Sequence, residues 1–239
     1  MTRVRAAAAD GPIVTLDGPA GSGKSSTAKA VARRLGFRHL DSGGLYRGLT
    51  LALLESGVPE DEWKMLDEGH MRALDVGISA MGNDMVVQLG GRPVSDELRA
   101  PAVTARVSGL ARLPAARACL LTLQRAAGEQ GRLVADGRDM GTVVFPNAEV
   151  KVYLVADLDA RARRRLREGG VTQPTDEDVR AQSREIAERD RRDSERELSP
   201  LRMPEDAHLV DTTRLTFEEQ VDAIVALVED AVDASRGPV

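Results

Sequence analysis

The chain has 239 residues, 42% of them hydrophobic and 30% charged, which suits one large globular domain or a core carrying insertions. A net charge of −5 argues against a nucleic-acid backbone as the main partner, because such domains carry a broad excess of Lys and Arg. No apolar run reaches membrane-spanning length, which argues against a membrane span.

The opening MTRVRAAAAD lacks the apolar centre of a signal peptide and reads as a frayed, cytoplasmic N-terminus. IVTLD (13–17) is a short apolar run ending in Asp and then glycines, the pattern of a buried parallel strand entering a loop. From Ser25 to Leu35 the apolar residues Ala28, Val31, Ala32 and Leu35 follow helical spacing and stop at Gly36. A second strand over about 37–40 leads into DSGGLYR and a helix running through Leu53. This strand–helix–strand rhythm predicts an α/β fold with a parallel sheet and helices on its faces. VGISAM (76–81) and DMVVQLGG (84–91) then alternate in the period of strands around a Gly82-Asn83 turn. A hairpin is foreign to a parallel core, so residues 63–100 read as an insertion between core segments 1–62 and 101–157. Helices near 101–112 and 114–128 follow, the latter containing Cys119. That lone cysteine rules out an internal disulfide, fits a reducing compartment and reads as a buried thiol. Strands recur at 132–136 and 150–157. An Arg/Glu-rich helical region fills 158–197, and a last strand and helix (207–211 and 217–233) complete the core segment 198–239.

Gly18, Pro19, Ala20, Gly21, Ser22, Gly23, Lys24, Ser25 and Ser26 match the phosphate-loop pattern between a strand and a helix. Glycines let backbone N–H groups wrap an anion at the positive end of the helix. Lys24 is expected to reach the outer phosphates of a bound polyphosphate, and the Ser25 hydroxyl to sit on Mg²⁺. The chain contains no Asn-Lys-x-Asp motif, which argues against a GTPase switch. His39, His70 and His208 are scattered, so no protein-built zinc site is expected.

Three segments offer a second anion site. Ser42 and Arg47, just past the second strand, are placed either to hold a phosphate monoester or to serve as a helix cap and a surface cation. In ADGRDMGTVVFP (135–146), Asp136, Arg138 and Asp139 sit at the carboxyl end of a strand. They form either a ligand site or a polar turn with a local ion pair. Arg189, Arg192, Asp193 and Arg196 recur at i, i+3, i+4 and i+7 and so share one helical face. Three like charges there call for an anion, the alternative being a solvated helix laced with pairs. Together these groups describe phosphoryl transfer from a nucleoside triphosphate to a small anionic acceptor.

IVTLDGPAGSGKSS, LDSGGLYR, ADGRDMGTVVFP and ERDRRDSER followed by SPL and DAHLVDTT are the residues through which the chain resembles bacterial cytidylate kinases, a family of nucleoside monophosphate kinases. The resemblance runs from Ile13 to the C-terminal helix. It implies a three-layer P-loop kinase fold with a five-stranded parallel core, a nucleoside-monophosphate-binding insertion with its own small antiparallel sheet, and an Arg-rich helical lid over 158–197. The implied substrates are ATP and CMP or dCMP. Ser42, Tyr46, Arg47 and Asp136 would line the monophosphate side, while Ser108, Arg117 and Asp139 would read the cytosine. Arg138 and Arg196 would hold the acceptor phosphate, and Arg189 and Asp193 would contact ribose or phosphates. Lys24, Arg138, Arg189, Arg192 and Arg196 make up the expected catalytic set. Gly44 stands where Ala is common, a change expected to loosen the turn presenting Ser42, and Arg161, Arg163, Arg164 and Arg165 carry no assignment. The alternatives are a kinase for AMP, UMP or a shikimate-like acid, and a switch that hydrolyses without transferring. No self-complementary apolar helix face stands out, so a monomer is expected.

Overall fold

The structure, a computed structural model, describes residues 11–236, and the expectation for the first ten residues lies outside them. Chain order runs β1 (Ile13–Asp17), α1 (Lys24–Leu35), β2 (Arg38–Asp41), α2 (Ser42–Ser56), α3 (Glu68–Ala73), β3 (Val76–Met81), β4 (Asp84–Leu89), β5 (Arg92–Pro93), α4 (Pro101–Leu110), α5 (Pro114–Gly128) and β6 (Leu133–Asp136). Then come β7 (Val150–Val155), α6 (Leu158–Glu168), α7 (Asp176–Ser194), β8 (His208–Asp211) and α8 (Phe217–Arg236). The sheet order is β3-β4-β2-β6-β1-β7-β8, with β5 added on β4. The five strands from β2 to β8 are parallel, with β1 in the middle.

Strand alternation builds the layers. On β6, Val134 packs with Val14, Leu16, Val152 and Leu154 beneath α1 and α8. Leu133 and Ala135 turn the other way, into the larger core under α2, α4 and α5. Because both faces are covered, the central strands are apolar almost throughout, as parallel strands require. In α1 the buried residues Thr27, Ala28, Val31 and Ala32 form one stripe. The helix stops where Gly36 takes a left-handed φ of 66° and its N–H caps Ala32 and Arg33. Pro101 and Pro114 open α4 and α5 at positions where a missing N–H costs nothing.

The hairpin register pairs Val76 with Leu89, Ile78 with Val87 and Ala80 with Met85, around a turn whose left-handed residue is Gly82. Its setting differs from a free-standing small sheet. β4 continues the core sheet by pairing in parallel with β2 at one position, His39 opposite Asp84. The tip is fixed there by His39 N–H to Asn83 O (2.7 Å), Asn83 Nδ2 to Phe37 O (3.0 Å) and the Lys29–Asp84 ion pair (2.7 Å). The 158–197 region is two helices, interrupted at Gly169-Gly170, where Gly170 has φ 90°. α7 begins with a capping box made by Thr175 and Asp178.

Candidate active site

β1, β2 and β6 each end in an aspartate, which sets three carboxylates side by side at the carboxyl edge of the sheet, where open α/β sheets place their ligands. The phosphate loop starts directly after Asp17. Gly18 is obligatory there, with φ 147° and its pro-Cβ position only 2.1 Å from the carbonyl oxygen of Leu154. Lys24 is buried and its Nζ donates to Pro19 O (2.7 Å) and Ser22 Oγ (3.3 Å). Burial, and then the neighbouring Arg138 charge, push its ammonium well below the ordinary lysine range. Ser25 Oγ donates to Asp136 Oδ2 (2.5 Å), and Asp136 Oδ1 lies 2.9 Å from His39 Nε2. Asp136, a residue the resemblance sets among those that bind CMP, turns its carboxylate toward Ser25 of the phosphate loop. Hydroxyl and carboxylate oxygens gathered at the start of α1 fit a hard cation. Among the described residues no cluster of three or more His, Cys, Asp or Glu stands ready to hold a metal.

Asp17 ties two segments together at this edge. Its carboxylate accepts from the N–H groups of Met140 (2.9 Å) and Gly141 (2.7 Å), which lead a single turn of π-helix just past Arg138-Asp139. Burial raises its pKa to about 6, outweighing these two N–H groups, which favour the charged form. The folded-state value lies above the ordinary 3.8, so the folded chain holds the extra proton between about pH 4 and 6 and stability falls as pH rises through that window. We expect the wild type to lose about 2 kcal/mol relative to Asp17→Asn between pH 4 and pH 7, the part of a two-unit pKa shift that falls in that window. Urea unfolding of both proteins at the two pH values checks this; parallel pH profiles would remove Asp17 as the source.

Beyond Asp139, Arg117 (α5) ties several groups together. It makes an ion pair through Nη2 with the buried Asp139, donates from Nε to Ser199 Oγ (3.1 Å) and from Nη1 to Ala111 O (3.1 Å), and lies 5.5 Å over the Tyr46 ring. Tyr46, Arg117, Gln124, Asp139 and Ser199 line a recess of about 150 Å³ together with Ala118, Leu121, Val143 and Leu198. Ser42 Oγ accepts from the buried Gln124 (2.8 Å). At the start of α2, which presents Ser42, Gly44 N–H is capped by Asp41 (2.9 Å). Arg47 reaches Thr104 Oγ1 (3.0 Å) and Leu98 O (3.4 Å). Ser108, half-buried on α4, is not among the residues lining the recess.

Arg138 Nε pairs with Asp193 Oδ2 (2.9 Å) at the end of α7. Arg189 is held down to a pKa of about 10 by burial and by the charge of Arg138, and its Nε is buried without a partner, as is that of Arg196. Arg196 donates to Ser199 O (2.8 Å) and lies 4.0 Å from Asp193.

The shared helical face needs correcting at two positions. Arg192 turns to solvent, pairing with Glu188 (3.5 Å) and donating to its carbonyl, because three residues leave it about 60° behind Arg189 on the helix. Arg196 lies beyond the last residue of α7, Ser194, and reaches the site from the following loop. Of the unassigned arginines, Arg163 pairs outward with Asp176, while Arg165 pairs with Glu168 and lies near enough for its charge to act on Arg47 and Arg189. Arg161 and Arg164 turn inward, to Ala20 O (2.9 Å) and Ser22 O (3.4 Å) of the loop. Asp17, His39, Gln124, Arg161 and Asp190, which carry no assignment from the sequence, contact the loop or the residues around it. For Asp17 and His39 the available signal was position, since each lies at or near the carboxyl end of a strand.

A phosphate loop at the edge of a five-stranded parallel sheet, facing a second set of buried arginines and carboxylates, defines a phosphate-loop phosphotransferase. The chain belongs to the cytidylate kinase family, whose model matches residues 14–230. It is 42% identical over 219 residues to a cytidylate kinase from Exiguobacterium sibiricum, covering 92% of this chain and 97% of that one. A cytidylate kinase from Salinibacter ruber is 43% identical over 232 residues, with 94% and 98% covered, and one from Acholeplasma laidlawii is 39% identical over 218 residues, with 91% and 95% covered.

Proposed function

We propose that the chain transfers the γ-phosphoryl group of ATP to CMP or dCMP, giving ADP and the corresponding diphosphate. The family supports the reaction. The observation that carries the assignment of roles is the pairing of Arg117 with Asp139 over Tyr46, at the wall of a recess beside the Arg138–Asp193 pair. Cytosine carries an amino donor, which suits the Asp139 carboxylate, beside acceptors, which suit the Arg117 guanidinium. Tyr46 and Arg117 supply flat faces for the ring, while Ser42, Arg47, Arg138 and Arg196 hold the acceptor phosphate. Residues 63–100 form the flank of the acceptor pocket and residues 158–197 its lid.

An acceptor phosphate needs no general base, because its attacking oxygen is already anionic. The chain's task is alignment, plus cations placed where charge moves. Lys24 and Arg189 follow the transferring group, and Arg138 holds the acceptor in line. Ser25 and Asp136 would hold Mg²⁺, which when bound neutralises phosphate charge. Helices α6 and α7 exclude water that would otherwise take the phosphoryl group.

A coupled assay with ATP and a panel of CMP, dCMP, UMP, AMP and shikimate tests the reading, with CMP and dCMP expected to turn over best. Equal or better turnover of AMP or shikimate would overturn it, and ATP loss independent of any acceptor would favour a hydrolytic switch. In the same panel Asp139→Ala is expected to narrow the preference for CMP over UMP by about tenfold or more, the scale of one lost base-reading contact. An unchanged preference would remove Asp139 from base reading.

A further inference from the structure

Ala20, inside the phosphate loop, is held on all three of its groups by residues far downstream. Its N–H donates to Asp190 Oδ1 on α7 (2.8 Å), and its carbonyl accepts from Arg161 Nη1 on α6 (2.9 Å). Its methyl group is buried in a small apolar cluster with Ala162, Val179 and Ile186, flanked by Leu158 and Leu166. Arg161 closes the ring by pairing with Asp190, and both side chains are largely withdrawn from solvent, at 11% and 16% exposure. Its Nε is tied back to Ala156 O (3.0 Å). The next loop residue, Gly21, allows this approach: a side chain there would begin 3.1 Å from Arg161 Cβ and 3.2 Å from its carbonyl oxygen. The cluster beneath the two lid helices thus has a residue of the donor loop as one of its members.

Asp190 is also the residue directly after Arg189 and three before Asp193. At 100° per residue, a side chain fixed on the loop sets the rotation of α7, and with it the direction in which Arg189 and Asp193 reach. We propose that Asp190 is a positioning residue that couples the donor loop to the acceptor-side cations. With Arg161 as its counter-charge, it makes loop shape and α7 orientation one variable, so that filling either substrate site prepares the other. This rests on the two-substrate kinase reading above. It adds a residue and a thermodynamic consequence that the reading does not require. The Ala20 N–H is engaged by the carboxylate, so phosphate is gripped by the loop's remaining N–H groups in a conformation that is already set.

Coupling between two sites is reciprocal and measurable without turnover. The dissociation constant of a non-hydrolysable ATP analogue is measured by calorimetry with and without saturating CMP, on the full chain, for wild type, Asp190→Ala and Asp190→Asn. In the wild type, CMP is expected to tighten the analogue by about fivefold or more, the lower end of typical couplings. In Asp190→Ala that factor falls to near one and the analogue alone binds about tenfold more weakly, as loss of a charge-assisted hydrogen bond implies. Asp190→Asn, which still offers an oxygen to Ala20 N–H, recovers part of both. Thermal unfolding of each variant locates any general loss of fold, which would weaken CMP binding alone as strongly as analogue binding. Three results would overturn the proposal: a wild type without coupling, Asp190→Ala with coupling intact, or tighter analogue binding once the carboxylate is gone. Failure of the kinase reading shows separately, as absent CMP binding in the wild type.

Discussion

Replacing Lys24 by alanine is expected to lower turnover by about three orders of magnitude or more while leaving the fold in place. The side chain is buried, and among the described residues its ammonium makes two hydrogen bonds, to Pro19 O and Ser22 Oγ of its own loop, so little structure depends on it. Burial and the nearby Arg138 make its charge costly in the folded chain, and that cost is relieved when phosphate oxygens supply the opposite charge. A cation whose favourable partner carries growing negative charge contributes more to the transition state than to substrate binding. The effect should therefore fall on kcat more than on the KM for ATP. Steady-state kinetics at saturating CMP measure this split, and a loss of less than tenfold in kcat would remove Lys24 from the chemistry.

Arg189→Ala is expected to cost about 10³-fold or more in turnover, the scale of a cation that meets transition-state charge. The fold should respond in the opposite direction. Arg189 lies among the charges of Arg138, Arg47 and Arg165, with the carboxylate of Asp193 acting in its favour, and its buried Nε has no partner among the described residues. Removing it lowers like-charge repulsion and one desolvation cost, so the melting temperature of the ligand-free protein should hold or rise. Activity and stability then move apart, which a merely structural arginine would not produce. Calorimetry beside the coupled assay checks both signs; a lower melting temperature with near-normal kcat would reverse the assignment.

How much could be read in advance follows from the range of each interaction. The phosphate loop, the capped helix after it and the 76–89 hairpin are local patterns, in which glycine positions and side-chain alternation act within a few residues. They were legible for that reason. Arg192 leaves the face that its spacing suggests, because steps of three and four differ by 100° and Asp193, not Arg192, stays in phase with Arg189. Arg196 was misplaced because nothing in ERDRRDSERE marks the end of α7 at Ser194. The hairpin's attachment to β2 rests on contacts between residues some 45 apart, among them Asn83 with Phe37. The Gln124–Ser42 bond spans 82 positions and the Asp190–Ala20 bond 170, and inside a charged run Asp190 looks like any other acidic residue. Pairing partners of that kind follow from the order of strands in the sheet, which no short window contains.

The grip of Asp17 on Met140 and Gly141 has a further consequence. It works as a caliper: the point where the donor's phosphates are held and the turn carrying Arg138 and Asp139 are set apart by one side chain between two adjacent strands, β1 and β6. The length of the phosphoryl group's jump is written into the floor of the site. In the proposed reading the hairpin flank bears on which base is accepted, and helices α6 and α7 on how tightly the site is sealed. Neither alters the gap that the phosphoryl group must cross.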